Sequence, residues 1–426
     1  MKKKTKIVAT LGPATNTPYM LERLIRAGMD MARMNLSHGT LANHSRLIET
    51  IRNLNRQLGS NVSILIDLPG AKYRIGTITG GQAILKKGAL ITLTTENIVG
   101  DNHILPVNLP NLPRDAKPGD TVLLADGALQ LRVEETTASE VKCRVVTGGV
   151  IETGKGVVIP GRHISEPYIT ISMRKDILFA AQQHPDYLAL SFVSSAEDVR
   201  AVKEILQEAN VTIPCISKIE REEAFRAFDK ILAVSDAVMV ARGDLGVEIP
   251  LEKVPIIQKE IIRKCNRAGK PVITATEMLE SMITSARPTR AETTDVANAI
   301  FDGTDAVMLS GETAIGKFPV LTVKMMSKIA VEAEKTLPYE KMLIDRGNWI
   351  EPETGELISY NACLTARRLK AVAIVAYTQS GSTPPSIPVQ AGCTGTGANT
   401  ERRSIRPTGA KLGSNTGKTS DALFCG

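Results

Sequence analysis

The 426 residues are 43% hydrophobic and 23% charged, the composition of an ordinary globular chain with room for two or three domains, or for one large barrel with an insertion. The formal net charge is +7, but Lys2, Lys3, Lys4, Lys6 and the stretch 383–426 supply all of it, so 7–382 is neutral and makes no broad field for a nucleic acid. The longest apolar runs are strand-sized, far below the roughly 18 residues needed to span a bilayer, and MKKKTKIVATLG breaks too early at Gly12-Pro13 to serve as a secretion signal.

In chain order, strands are predicted at 5–12, 32–37, 63–68, 187–192, 214–220, 237–245, 271–278 and 306–313. They are near-continuous apolar runs, as strands buried on both faces of a parallel sheet should be. Helical periodicity lies between them, at 18–28, 195–209 and 255–269, and after the last strand at 318–336. Gly28 and Gly269 stand where a helix C-terminus calls for a left-handed residue. Eight such units predict a (β/α)8 TIM barrel made of 1–70 and 170–345. Residues 71–169 alternate polar and apolar, and Lys117-Pro118-Gly119-Asp120 and Asp126-Gly127 punctuate them as turns. They predict a small β-barrel lid domain inserted after the third barrel strand. Residues 346–382 begin an incomplete α/β C-terminal domain, with a helix at YNACLTARRLKA and a strand at VAIVAY. From Thr383 to Gly426 no period survives, and this stretch is expected to be a disordered tail.

In such a barrel the chemistry sits at the C-terminal ends of the strands. Those ends are unusually polar here. Arg33, Asn35 and Ser37 alternate with apolar neighbours and so share one strand face. Asp67, Lys218, Glu220, Arg242, Asp244, Thr274, Thr276, Ser310 and Glu312 close the later strands. Ion pairs plugging a barrel mouth would explain any one of these pairs. Five strands converging on one polar rim point to use, because desolvated charges are costly otherwise. Glu220 and Asp244 are candidates for a hard-cation site of the kind Mg2+ shares with substrate phosphate, with Arg33, Lys218 and Arg242 beside it. The six cysteines form no CxxC pair, which disfavours structural zinc and fits reduced thiols in a cytoplasmic protein. His44, His103, His163 and His184 form no ligand cluster and are expected at the surface. Trp349 reads as packing or linker. Gly413–Thr419 imitates a phosphate loop but has one residue too few between its glycines.

The segments ARMNLSHG (32–39), ISKIE (216–220), VMVARGDLGVEIP (238–250), ITATEML (273–279), RPTRAETTDVANAI (287–300) and DGTDAVMLSGETAIGKFP (302–319) together resemble the signatures of the pyruvate kinase family, from residue 5 to about 382. The resemblance implies Mg2+-dependent (or Mn2+-dependent) phosphoryl transfer from phosphoenolpyruvate to ADP, giving pyruvate and ATP. It implies that Glu220 and Asp244 bind the divalent metal. Lys218 would stabilise the phosphoryl group in flight and Arg33 would hold substrate phosphate. Gly243 and Thr276 would line the substrate pocket, Thr276 near the point where the enolate is protonated. Asn35, His38, Arg74 and Lys155 match nucleotide-contacting positions, the last two reached from the lid.

Two departures from the family pattern stand out. Many members read DTKGPEIR at the end of strand three and require K+; here the segment is Asp67-Leu68-Pro69-Gly70-Ala71-Lys72-Tyr73-Arg74. Lys72 replaces a glutamate, and its ammonium is expected to make K+ dispensable. The alternative is that Lys72 faces solvent and the site around Asn35, Ser37, Asp67 and Leu68 still takes K+. The second departure is the abrupt loss of pattern after Thr378-Gln379-Ser380-Gly381-Ser382-Thr383, which resembles a phosphate loop. It points to a shifted reading frame, with incomplete assembly of the family's homotetramer and an unpartnered strand AVAIVAY. An unstable or inactive homologue, or a carbon–carbon lyase on a similar Mg2+–enolate barrel, are the other readings.

Overall fold

The structure is a computed structural model and describes residues 3–348, 354–369, 371, 374–378 and 421–425. Eight parallel strands close into a barrel: Lys6–Thr10, Met31–Asn35, Ser63–Leu68, Tyr187–Leu190, Cys215–Ile219, Ala237–Ala241, Val272–Ala275 and Ala306–Leu309. Each pairs with its sequence neighbours, and the first closes on the eighth through Lys6↔Ala306 to Ala9↔Leu309. Strand parity divides the core. Ile7, Ala9, Ile64, Ile66, Val238 and Val240 face the helical ring. Their alternates Val8, Met31, Leu65, Ala189, Ile216, Met239, Ile273 and Met308 fill the barrel itself.

The helices start and stop where local chemistry dictates. Ser195 and Thr289 form capping boxes with Asp198 and Glu292. Gly28, at φ 112°, ends the helix Pro18–Ala27 and returns its N–H to the last turn.

Between the third and fourth barrel strands the chain leaves to build the lid. A seven-stranded, mostly antiparallel sheet and a two-stranded ribbon share one apolar core that includes Leu93, Leu105, Val122, Leu131, Val141 and Val157. Its strands run from Tyr73–Arg74 to Gly156–Val158, and these two terminal strands pair with each other. The lid therefore departs from the barrel and returns to it through adjacent crossings.

After the barrel, helices Pro319–Thr336, Tyr339–Gly347 and Thr354–Arg368 follow. The strand Ile374–Thr378 is paired antiparallel with Asp421–Cys425. Most of the stretch 383–426 lies outside the described residues. Trp349, the phosphate-like loop from Gln379 and the glycine-rich motif 413–419 lie outside the described residues.

Candidate active site

One layer above the apolar barrel filling, the same parity that aims Val8, Met31, Leu65, Ala189 and Ile216 inward aims Thr10, Arg33, Asp67, Ser191 and Lys218 into the mouth. All five are buried. The Arg33 guanidinium donates to Asp67 at 2.7 Å and to Thr10 at 2.9 Å. The Lys218 ammonium donates to Ser191 Oγ at 2.6 Å, lies 3.3 Å from Asp67 and 3.0 Å from Glu220. Ser191 Oγ in turn donates to Asp67 at 3.1 Å.

These contacts fix protonation. Burial alone would raise the Asp67 pKa, but the charges of Lys218 and Arg33 and their hydrogen bonds outweigh it and hold the carboxyl below its usual range. Burial would likewise discharge Lys218, yet Asp67 and Glu220 win and raise its pKa. The mouth thus contains two committed cations.

Glu220 differs. Its Oε2 accepts the Phe192 amide at 2.5 Å. Its Oε1 is buried and has no hydrogen-bond partner; Lys218 stands 3.0 Å away as a charge without hydrogen-bond alignment. Burial raises the Glu220 pKa despite Lys218, and the nearby Asp244 charge adds to the rise. Asp244 is partly exposed and is engaged at 2.5 Å by Lys72, whose side chain is 11% exposed. Lys72 therefore points into the site and not to solvent. An orphaned carboxylate oxygen beside a second carboxylate is a donor set suited to a hard cation, with remaining positions left to water and substrate oxygens. Among the described residues no group of three or more His, Cys, Asp or Glu is arranged around a metal position.

The remaining rim residues need corrections. Arg242, Gly243 and Asp244 begin the short helix Arg242–Glu248 and do not end a strand. Arg242 does not add its charge to the mouth. It donates to Thr276 O at 2.7 Å and pairs with Asp295 at 2.7 Å, clamping the seventh loop. Thr276 and Glu277 both have positive φ (69° and 52°), a strain tolerated where the surroundings over-determine it. The Thr276 hydroxyl accepts the Gly243 amide at 2.7 Å and donates to Ala275 O at 2.6 Å. Thr274 faces away from the mouth and bonds Thr304 at 3.0 Å. Glu312 is fully buried and accepts the amides of Ser310 and Leu279 at 2.6 and 3.1 Å, so it is a loop clamp.

The second strand ends at Asn35, so Ser37 lies with His38 in the following exposed turn, off the strand face predicted for Ser37. Asn35 Oδ1 accepts the Ser37 amide at 3.1 Å. His44, expected at the surface, is buried beneath this turn, its Nε2 2.8 Å from His38 O. Leu68 is buried in the apolar layer outside the barrel. Arg74 ends the first of the two paired lid strands at the crossings, and Lys155 directly precedes the other. Arg74 donates to Gly154 O at 3.1 Å and Lys155 pairs with Glu152 at 3.3 Å. The structure thus unites Arg33, Asp67, Lys218 and Glu220, with Lys72 and Asp244 adjoining and Gly243 joined to Thr276. Ser37, His38, Arg74 and Lys155 remain at its margins.

Thr10, Ser191 and Phe192 belong to the site beyond the residues expected from the sequence. Parity alone, counted from Val8 and Ala189, could have found the first two.

The profile of the pyruvate kinase barrel domain matches residues 2–323. The chain belongs to the pyruvate kinase family. It is 51% identical over 342 residues to the pyruvate kinase of Thermococcus litoralis, covering 80% of this chain and 72% of that one. It is 46% identical over 388 residues to that of Staphylococcus haemolyticus, covering 90% of this chain and 66% of the relative, so the matched region spans about two thirds of that protein's length. The crystal structure of a pyruvate kinase from Cryptosporidium parvum superposes with a TM-score of 0.86 at 39% identity, covering 91% of this chain and 81% of that one. No described helix is long and apolar enough to cross a membrane. The four cysteines whose side chains are described, Cys143, Cys215, Cys265 and Cys363, are buried and joined in no disulfide.

Proposed function

We propose that this chain transfers the phosphoryl group of phosphoenolpyruvate to ADP, releasing pyruvate and ATP in the cytoplasm. The observation that carries the reading is the buried cation pair Arg33 and Lys218, held in one layer by Asp67 and Ser191 beside the orphaned oxygen of Glu220. A loose phosphoryl transfer asks for positioning and charge neutralisation more than for a covalent partner. Both cations are pre-oriented by short hydrogen bonds, so little reorganisation is needed when charge develops on the phosphoryl oxygens.

In this reading Arg33 grips the substrate phosphate and Lys218 follows the phosphoryl group as it moves. Glu220 and Asp244 would hold Mg2+ or Mn2+, which when bound neutralises phosphoryl and enolate charge. The Gly243 amide and Thr276 hydroxyl, already bonded to each other, shape the floor where the carboxylate and enolate of the substrate lie. Thr276 stands near the carbon that gains a proton. Asn35, His38, Arg74 and Lys155 receive the nucleotide, and the lid limits the access of water to the phosphoryl donor.

Asp67 is saturated by Arg33, Lys218 and Ser191, and Leu68 offers no side-chain oxygen. Lys72 brings an ammonium within 2.5 Å of Asp244. Both observations favour activity without K+. The assay is pyruvate formation by the full chain with phosphoenolpyruvate and ADP, omitting Mg2+, K+ and ADP in turn. Loss of product on omitting Mg2+ or ADP, but not K+, is expected. No product under any condition would refute the reading.

A further inference from the structure

The lid is tied to the barrel by two crossings, and a barrel residue beside each of the carboxylates Glu220 and Asp244 stands at one of them. Arg221 directly follows Glu220. It is 5% exposed, donates to Ala71 O at 2.6 Å on the outgoing crossing, and lies 5.0 Å from the centre of the Phe192 ring. Glu248 lies one helical turn beyond Asp244, on the helix Arg242–Glu248. It lines one cavity with Gly161 and Arg162 on the returning crossing and with Arg221. Arg221 and Glu248 line the same two cavities between lid and barrel.

Phe192 links these contacts to the carboxylate pair. Its amide holds Glu220 at 2.5 Å, its φ is +55°, and the Lys72 ammonium lies 5.5 Å from its ring centre. A β-carbon at Gly70, beside the outgoing crossing, would meet Ser191 O at 2.7 Å and the Phe192 ring at 2.8 Å. The crossing, the ring and Glu220 are therefore packed without slack. Lys72, one residue past Ala71, ends on Asp244.

We propose that Arg221 and Glu248 are positioning residues that set the lid crossings against Glu220 and Asp244, so that a divalent cation on these carboxylates changes the lid's seating. The proposal rests on the reading of that pair as a cation site. A cation at Asp244 competes with the Lys72 ammonium, and the strain of its displacement falls on the crossing that Arg221 holds. A merely structural clasp would carry no such response.

The test is hydrogen exchange of peptides covering 69–75 and 157–163 in the full chain, with and without Mg2+ alone, together with Mn2+ binding followed by electron paramagnetic resonance. In the wild type, Mg2+ is expected to slow exchange at both crossings. Arg221→Met and Glu248→Gln should bind Mn2+ but lose that response. They should raise the KM for ADP about tenfold while changing kcat less than about threefold. Arg221→Lys, which keeps the charge and one donor, should restore part of the response, and it serves as the variant if Arg221→Met does not fold. Variants that keep the full Mg2+ response, or a wild type that binds Mn2+ with no change at either crossing, overturn the coupling alone. A wild type that binds no Mn2+ overturns it together with the cation reading.

Discussion

Replacing Lys218 with Met removes the charge that the proposed mechanism needs most, and the structure says what else it removes. The ammonium is the donor to Ser191 Oγ at 2.6 Å and the counter-charge of Asp67 at 3.3 Å and Glu220 at 3.0 Å. Asp67 keeps Arg33 and Ser191, but Glu220 keeps only the Phe192 amide. Both carboxylate side chains are 1% exposed. Stranding a buried charge in this way costs about 3–5 kcal/mol. Glu220, whose pKa burial already raises, can take up a proton, so the lower end, about 3 kcal/mol, is expected. That lowers the melting temperature by roughly 3–6 °C in a unit of this size. Phosphoryl transfer should fall by about a thousandfold or more, or some 4 kcal/mol of lost transition-state stabilisation. Adding Glu220→Gln should recover part of the stability without recovering turnover, because the two residues are coupled. The assays are pyruvate formation and thermal unfolding of both variants. A Lys218→Met chain that keeps more than about a tenth of its turnover at an unchanged melting temperature would refute both the electrostatic role and the burial argument.

Three further outcomes follow from particular contacts. Exchanging K+ for a bulky organic cation should slow the wild type by less than about tenfold, whereas Lys72→Glu should become K+-dependent by at least that factor; a strong K+ requirement in the wild type contradicts the role given to Lys72. Gly70→Ala places a methyl group 2.7 Å from Ser191 O and should cost about 1–3 kcal/mol in urea unfolding; an unchanged midpoint would mean the crossing is looser than it stands. Burial raises the Glu248 carboxyl from 4.5 to about 7, with the Arg221 charge and the Gly161 amide opposing it, so the folded chain holds a proton that the unfolded chain releases between those values. Stability from this group is therefore lost as pH rises through that window, and the wild type should gain roughly 2 kcal/mol on Glu248→Gln between pH of about 7.5 and about 5.5; a pH-independent difference would show that Glu248 titrates normally.

The barrel was legible because its signal is simple. Apolar runs buried on two faces and helices with one apolar stripe have few other ways to pack, and residues such as Gly28 mark their ends. The site was legible in its residue types, less so in its geometry. Arg33, Asp67 and Lys218 were found because charges at strand ends are conspicuous. Thr10 and Ser191, which hold them, are chemically quiet and emerge only by counting parity from the apolar layer below. Arg242 was misread because a sequence shows a charge but not its direction, and nothing local foretells that Asp295 and the Thr276 carbonyl take it up. Thr276 was placed on a strand because its positive φ is imposed by those tertiary contacts and not by its own preference. Phe192 and Arg221 matter through packing between two domains, which no single segment encodes.

The most direct test of the central claim is a single-turnover transfer of labelled phosphoryl from phosphoenolpyruvate to ADP by the full chain in the presence of Mg2+. Labelled ATP and pyruvate should form in equal amounts, with neither formed when Mg2+ is withheld. Phosphoenolpyruvate bound at the rim but never passing its phosphoryl group to ADP would contradict the account.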